Sequence, residues 1–170
     1  YSIQLALKRE FLKRGIKADG IATEPSGLLF GFSHVYPFGY GGAGYIPSSI
    51  MINILNEKVW ELEKDGCEIV LTGCQSGTVT YDFRNMTYLT TEQYSYLLGV
   101  NPDGVILCVN TFDEMKYILR TKSFIESSVN AKVIAVVISE SRYNKEKGIF
   151  TGVKNLNLIY IDLQQLDYSD

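Results

Sequence analysis

Only one histidine, one tryptophan and four prolines stand among the 170 residues, and cysteine is held to three. The cysteines (Cys67, Cys74 and Cys108) are odd in number and lack metal-ligand spacing, which fits a reduced, cytoplasmic protein. Basic residues are not clustered. With 16 of them against 19 acidic ones the formal net charge is −3, and nothing could neutralise a row of phosphates, so a nucleic-acid surface is excluded. Long apolar runs are missing too. Val133 to Ile138 is strand-length, far short of the roughly 20 residues that cross a bilayer, and no signal peptide is visible. The expected partners are a small-molecule substrate and, in assembly, further copies of the chain.

What is present suffices for a core. An apolar content of 46% suits one domain of ordinary size over residues 1–170. The chain opens at Tyr1-Ser2 already inside a helical pattern, so the expectation is the C-terminal part of something longer. In Ser2 to Arg14, Ile3, Leu7 and Phe11 form an apolar stripe that Leu5 and Leu12 widen, with Lys8, Arg9, Lys13 and Arg14 outside. Gly15 ends the helix. A strand follows at Ala18 to Ala22, closed by Thr23-Glu24-Pro25.

Pro25 to Tyr45 holds six glycines, two prolines, six aromatics and His34. Such a stretch without periodicity is usually functional. Within it, Gly39-Tyr40-Gly41-Gly42-Ala43-Gly44 matches G-x-G-x-x-G. Pro37 interrupts any preceding strand, and no acid ends the next one, so the stretch reads as an aromatic loop or lid and not as a dinucleotide fingerprint. Pro47 to Lys64 is the longest helix, with Ile50, Ile54, Val59, Met51, Leu55 and Leu62 on a broad apolar face. Gly66 ends it.

Glu68 to Leu71 then reads as a short, continuously apolar strand running into Gly73-Cys74-Gln75-Ser76-Gly77. That turn offers a thiol, an amide and a hydroxyl past the carboxyl end of a strand, where parallel sheets bind ligands. A helix at Thr91 to Leu98 and a turn at Asn101 to Gly104 lead to Val105–Val109, a strand apolar enough to be buried on both faces, with Cys108 in the core. A helix from Asp113 to Glu126, a buried strand at Val133–Ile138, a lysine-rich loop at Arg142 to Lys147 and a strand at Leu156–Ile161 complete the pattern. Strand follows helix five times. The expected fold is α/β, a doubly wound and mainly parallel sheet in three αβα layers.

Several stretches resemble one family: Leu5 to Gly15, Thr23 to Gly31, Gly73 to Thr78, Pro102 to Asn110 and Phe124 to Ser128. It is an uncharacterised-domain family whose C-terminal half is similar to a dethiobiotin-synthetase-type P-loop NTPase, and its known members include D-glutamate N-acetyltransferases. The similarity runs from Ser2 to about Ser139. It implies a P-loop NTPase-like domain whose first strand and phosphate loop lie upstream. A loop ending Gly-Lys-x-Ser/Thr would make Ser2 the hydroxyl that approaches magnesium. It also implies ATP or GTP with magnesium, or acetyl-CoA, as cofactor. Motor and switch NTPases hold magnesium with an Asp after the corresponding strand; Thr72-Gly73-Cys74-Gln75 stands there instead.

The candidate site residues follow. Glu24, at a strand end, is the first choice of general base, and His34 the reserve. Thr23, Gln75, Ser76 and Asn110 would line the crevice and bind substrate or nucleotide. Asp113 reads either as a base-recognising acid of an Asn-x-x-Asp strand end or as a helix N-cap. Cys74 as a nucleophile would need His34 as its base, and Gly73–Gly77 is not a G-x-S-x-G elbow, because its serine is one place late. A nucleotide-dependent or acyl-transferring enzyme and a non-catalytic nucleotide-responsive module are both open on these residues.

Overall fold

The computed structural model describes residues 1–36, 46–74, 77–82, 84, 91–110, 112–139, 142–144 and 149–151. They form two compact units, Tyr1–Asn101 and Pro102–Asp170. Both are α/β, built on short parallel sheets, and five helices are described in all.

In the first unit, α1 (Ser2–Lys13) leads to β1 (Ala18–Ala22), a 3-10 helix (Pro25–Phe30) and the two-residue β2 (His34–Val35). Then come α2 (Ser48–Lys64), β3 (Ile69–Thr72) and α3 (Thr91–Val100). The strands lie in the order β2-β1-β3, all parallel, with Ile21 opposite His34 on one side and Thr72 on the other. Each helix-to-strand link is short because a glycine in the left-handed region turns the chain: Gly15 at φ +76° after α1 and Gly66 at φ +79° after α2. The core joins Ile21 of β1 to Met51, Leu55 and Leu62 of α2, with Tyr36, Tyr96 and Val100. Helix α3 lies so close to α2 that a Cβ on Gly99 would stand 2.9 Å from the Cβ of Leu55.

Two expectations about helix faces are corrected. The fully buried residues of α1 are Gln4 and Lys8, one turn apart. Lys8, expected outside, is buried because Asp19 of β1 waits beneath it at 2.8 Å. On α2 the apolar face centres on Met51, Leu55 and Leu62, and Ile50 is 48% exposed.

In the second unit, β4 (Gly104–Asn110) and β5 (Lys132–Ser139) pair in parallel around α4 (Met115–Ser128). Strand β4 is not buried on both faces: Val109 is buried, Val105 to Leu107 are half-buried, and Cys108 is exposed, not core. A β-bulge between Val105 and Ile106 leaves one extra residue on β5, and there Ile134 is 57% exposed while Val136 and Val137 are buried. Helix α4 starts two residues later than Asp113, with Glu114 in the capping position. The carboxylate of Glu126 accepts from Lys122 at 2.7 Å and from the Val133 amide at 3.0 Å, tying α4 to β5. Burial alone would raise that carboxyl; these two donors outweigh it and hold it below the usual range. The stretch expected as a lysine-rich loop contains strand: β6 (Arg142–Asn144) pairs antiparallel with β7 (Ile149–Thr151). The strand expected at 156–161 lies outside the described residues, as does the glycine-rich run at 39–44. No helix among the described residues is long and apolar enough to cross a membrane.

Candidate functional site

The parallel strands of the first unit bring their carboxyl ends together. Strand β1 is followed by Thr23, buried at 6% exposure, and Glu24, exposed. Strand β2 is continued by one residue, because the Tyr36 amide donates to Ala22 O at 2.8 Å. Strand β3 is followed by Gly73 and Cys74, of which Cys74 is exposed. Parallel strands require this coincidence, and it is where an open sheet leaves a crevice.

Gln4 comes to this end from α1. Side chains on a helix lean toward its N-terminus, and this one carries Nε2 to 2.8 Å from Ile21 O and 3.0 Å from Leu71 O. One amide thus bridges the last turns of β1 and β3. Its Oε1 is buried and has no hydrogen-bond partner among the described residues. Tyr96 enters from α3. Its ring meets Tyr36 edge-on, with centroids 6.2 Å apart and planes at 68°. Burial first, and then the neighbouring Cys74, push the Tyr96 phenol far above its ordinary value, so it stays protonated beside the Gly73–Cys74 turn.

Glu24 has extended backbone geometry (φ −101°, ψ 131°), and its carbonyl accepts from the Gly27 amide at 2.8 Å to start the 3-10 helix. Its side chain is exposed at the strand ends and makes no hydrogen bond or ion pair among the described residues. His34 is committed to another contact. Its Nε2 lies 3.5 Å from Glu61 Oε2 on α2, and both Glu61 oxygens also accept from Lys58 at 2.8 Å. That Lys58 hydrogen bond holds the Glu61 carboxyl below its ordinary range. Ser2 is exposed as the first residue of α1. Gln75 and Ser76 lie outside the described residues.

Asn110 and Asp113 belong to the second unit and make a local turn with each other. Asp113 Oδ2 accepts from the Asn110 amide at 2.8 Å, and the Asp113 amide donates to Asn110 O at 3.1 Å. The carboxylate thereby closes the end of β4 and does not cap α4.

Magnesium takes oxygen ligands in octahedral geometry. Ser2 and Glu24 offer a hydroxyl and a carboxylate on the segments flanking β1, whereas a glycine and a thiol follow β3. Among the described residues no group of three or more His, Cys, Asp or Glu side chains is arranged to hold a metal. These donors do not complete a magnesium site, and no chemical step is assigned to one.

Sequence reasoning missed Gln4, Tyr36 and Tyr96. Gln4 carried a signal, since Gln4 and Lys8 are polar residues one turn apart between apolar neighbours on a helix that must face a sheet. Tyr36 stood in the aromatic-rich stretch, with nothing to mark it as the continuation of an edge strand.

These features define an α/β protein that gathers polar residues at the carboxyl ends of a parallel sheet. Compared with known proteins, the chain matches no family model and no curated protein.

Proposed function

We propose that this chain is the P-loop NTPase-like part of a small-molecule enzyme acting on an amino-acid-like carboxylate, with the doubly wound αβα fold that such a domain has. The reaction is N-acyl transfer, such as acetylation, to an acidic amino acid, or a nucleotide-dependent step on a similar acid. The cosubstrate is then acetyl-CoA in the first case and ATP or GTP with magnesium in the second.

One observation carries the reading: Thr23, Glu24, Gln4 and the Gly73–Cys74 turn meet where three parallel strands end. An ammonium group cannot attack an acyl carbon until it loses a proton, so a base must stand at the crevice. Glu24 is an exposed carboxylate on the strand end, free to take that proton. His34, the reserve base, is paired with Glu61 and would have to leave it. Thr23 and the turn after β3, including Gln75 and Ser76, orient the substrate, while Asn110 and Asp113 are the second unit's own candidates for a nucleotide or substrate contact.

The test is Glu24→Gln in the full protein, assayed with acetyl-CoA and glutamate and with ATP and glutamate. Turnover should fall by roughly 10²–10⁴-fold, the usual worth of a general base, with the circular dichroism spectrum and melting temperature unchanged. Near-normal turnover would remove Glu24 from the mechanism.

A second reading, a nucleotide-responsive regulatory module without catalysis, is favoured by the glycine and thiol standing where a magnesium-holding acid would follow β3. Calorimetry with ATP, GTP and acetyl-CoA separates the two. Tight nucleotide binding with no turnover of any acidic amino acid supports the module.

A further inference from the structure

We infer that Gln4 is a positioning residue for the candidate base: its amide clamps the last rung between β1 and β3, and so sets where Glu24 stands relative to the Gly73–Cys74 turn. This role rests on the reading of these strand ends as an acyl-transfer or nucleotide-dependent site with Glu24 as its base.

The pairing of β1 with β3 ends at Ile21 opposite Thr72. Gln4 grips both strands at that point. Its Nε2 donates to Ile21 O at 2.8 Å and to Leu71 O at 3.0 Å, which uses both amide protons. One carbonyl belongs to each strand, and each stands three residues ahead of a candidate site residue, Ile21 ahead of Glu24 and Leu71 ahead of Cys74. The grip therefore falls where the segments carrying Glu24 and Cys74 leave the ladder.

Two glycines are fitted to this clamp. A Cβ on Gly20 would run into the Leu71 carbonyl oxygen, so only glycine lets that carbonyl lie over β1 within reach of Gln4. A Cβ on Gly73 would stand 2.8 Å from Gln4 Oε1 and 3.1 Å from its Cδ, so glycine lets the turn rest against the amide itself. At 5% exposure the side chain is packed in place. A reversed amide would set Oε1 against two carbonyl oxygens, so its direction is fixed as well. Glu24, by contrast, is exposed and makes no hydrogen bond or ion pair of its own among the described residues. Its placement comes from the backbone that carries it, and Gln4 holds that backbone. A general base acts only within hydrogen-bond reach of the proton it takes, and a shift of about 1 Å can cost about a hundredfold in rate.

The experiment is a double-mutant cycle in turnover, run on the full chain with glutamate of either hand and either acetyl-CoA or ATP. Gln4→Met keeps the length of the side chain and removes both donors. It should lower kcat by roughly 10- to 100-fold while KM changes by less than about threefold, the pattern of a misplaced catalytic group and not of lost binding. In a Glu24→Gln background the same substitution should cost almost nothing further, because the group it positions is gone. Circular dichroism checks that each variant is folded. If Gln4→Met is not, Gln4→Asn, whose amide is one methylene too short to span both carbonyls, carries the decision with the same expected pattern. A folded variant with unchanged kcat, or equal losses with and without Glu24, overturns the positioning role and leaves the reading of the site intact. Near-normal turnover in Glu24→Gln alone removes the base, and the role of Gln4 with it. No turnover of the unaltered protein with either cosubstrate overturns the reading itself.

Discussion

Helices α1 and α2 belong to the same small unit and bury opposite kinds of residue. Helix α2 buries Met51, Leu55 and Leu62, whereas α1 buries Gln4 and Lys8. The apolar side chains of α2 need only volume to fill, and they find it against Ile21, Tyr96 and Val100 in the core. The polar side chains of α1 each need a partner in one place. Gln4 finds two strand carbonyls, and Lys8 finds Asp19, the Gly31 carbonyl and the face of Phe32, 4.6 Å from its ring centroid. Packing on α2 is tolerant of its details; on α1 it is specific. The specific helix is the one that reaches the strand ends where ligands are expected.

If that contrast is real, the largest loss of stability should come from the apolar side. Leu55 is fully buried and lies against Gly99 of α3. Leu55→Ala should cost about 3 kcal/mol, from lost transfer energy and the cavity left behind. Urea denaturation followed by circular dichroism measures it, and a loss below 1 kcal/mol would show that α2 does not anchor this core.

Lys8→Met keeps the stem and removes the charge, and about 2 kcal/mol is expected, in the range for hydrogen bonds to charged groups. Asp19 would keep its bonds from Ser33 and the Gly20 amide, so the loss should stop short of a full buried-pair rupture. A double-mutant cycle with Asp19→Asn should give a coupling near 1 kcal/mol or above. The same pair predicts a pH dependence. Burial by itself would raise the Asp19 carboxyl, but Lys8, Ser33 and the Gly20 amide together hold it below its ordinary 3.8. A depressed folded value means a contribution that is complete above the unfolded value and lost as pH falls through the folded one. Stability should therefore be flat near neutrality and drop below about pH 4, and Asp19→Asn should make that drop shallower.

The contrast also explains what could be read from the sequence. Strand β1 and the starts and ends of α1 and α2 were legible to within a residue, because glycines at left-handed positions and a proline before α2 punctuate them. The apolar core of α2 was legible from its repeat. The face of α1 was not, since Ile3, Leu7 and Phe11 make an acceptable stripe and nothing local says that Asp19 will lie under Lys8. That pairing depends on which strand α1 covers. Position 113 failed for a related reason: an acid before a helix can cap the helix or close the preceding turn, and only the backbone decides. The two-residue β2 carries too few residues for any periodicity. Of the candidate site, the strand ends with Thr23, Glu24 and Gly73–Cys74 were visible, as short segments after apolar runs. Gln4 and Tyr96, which arrive from helices, were not.

The smallest effect marks where the tolerant face of α2 stops. Ile50 and Met51 are neighbours in sequence, and a helical step of about 100° separates their directions. Met51 is 1% exposed and Ile50 48%. The repeat treats both as core, but the structure assigns only Met51 to it. Ile50→Ser should therefore shift stability by no more than about 0.5 kcal/mol, set mainly by helix propensity, while Met51→Ser should cost several times as much. Equal losses at the two positions would mean that Ile50 is covered in solution by something beyond the first unit. The contrast between α1 and α2 would then describe only that unit standing alone.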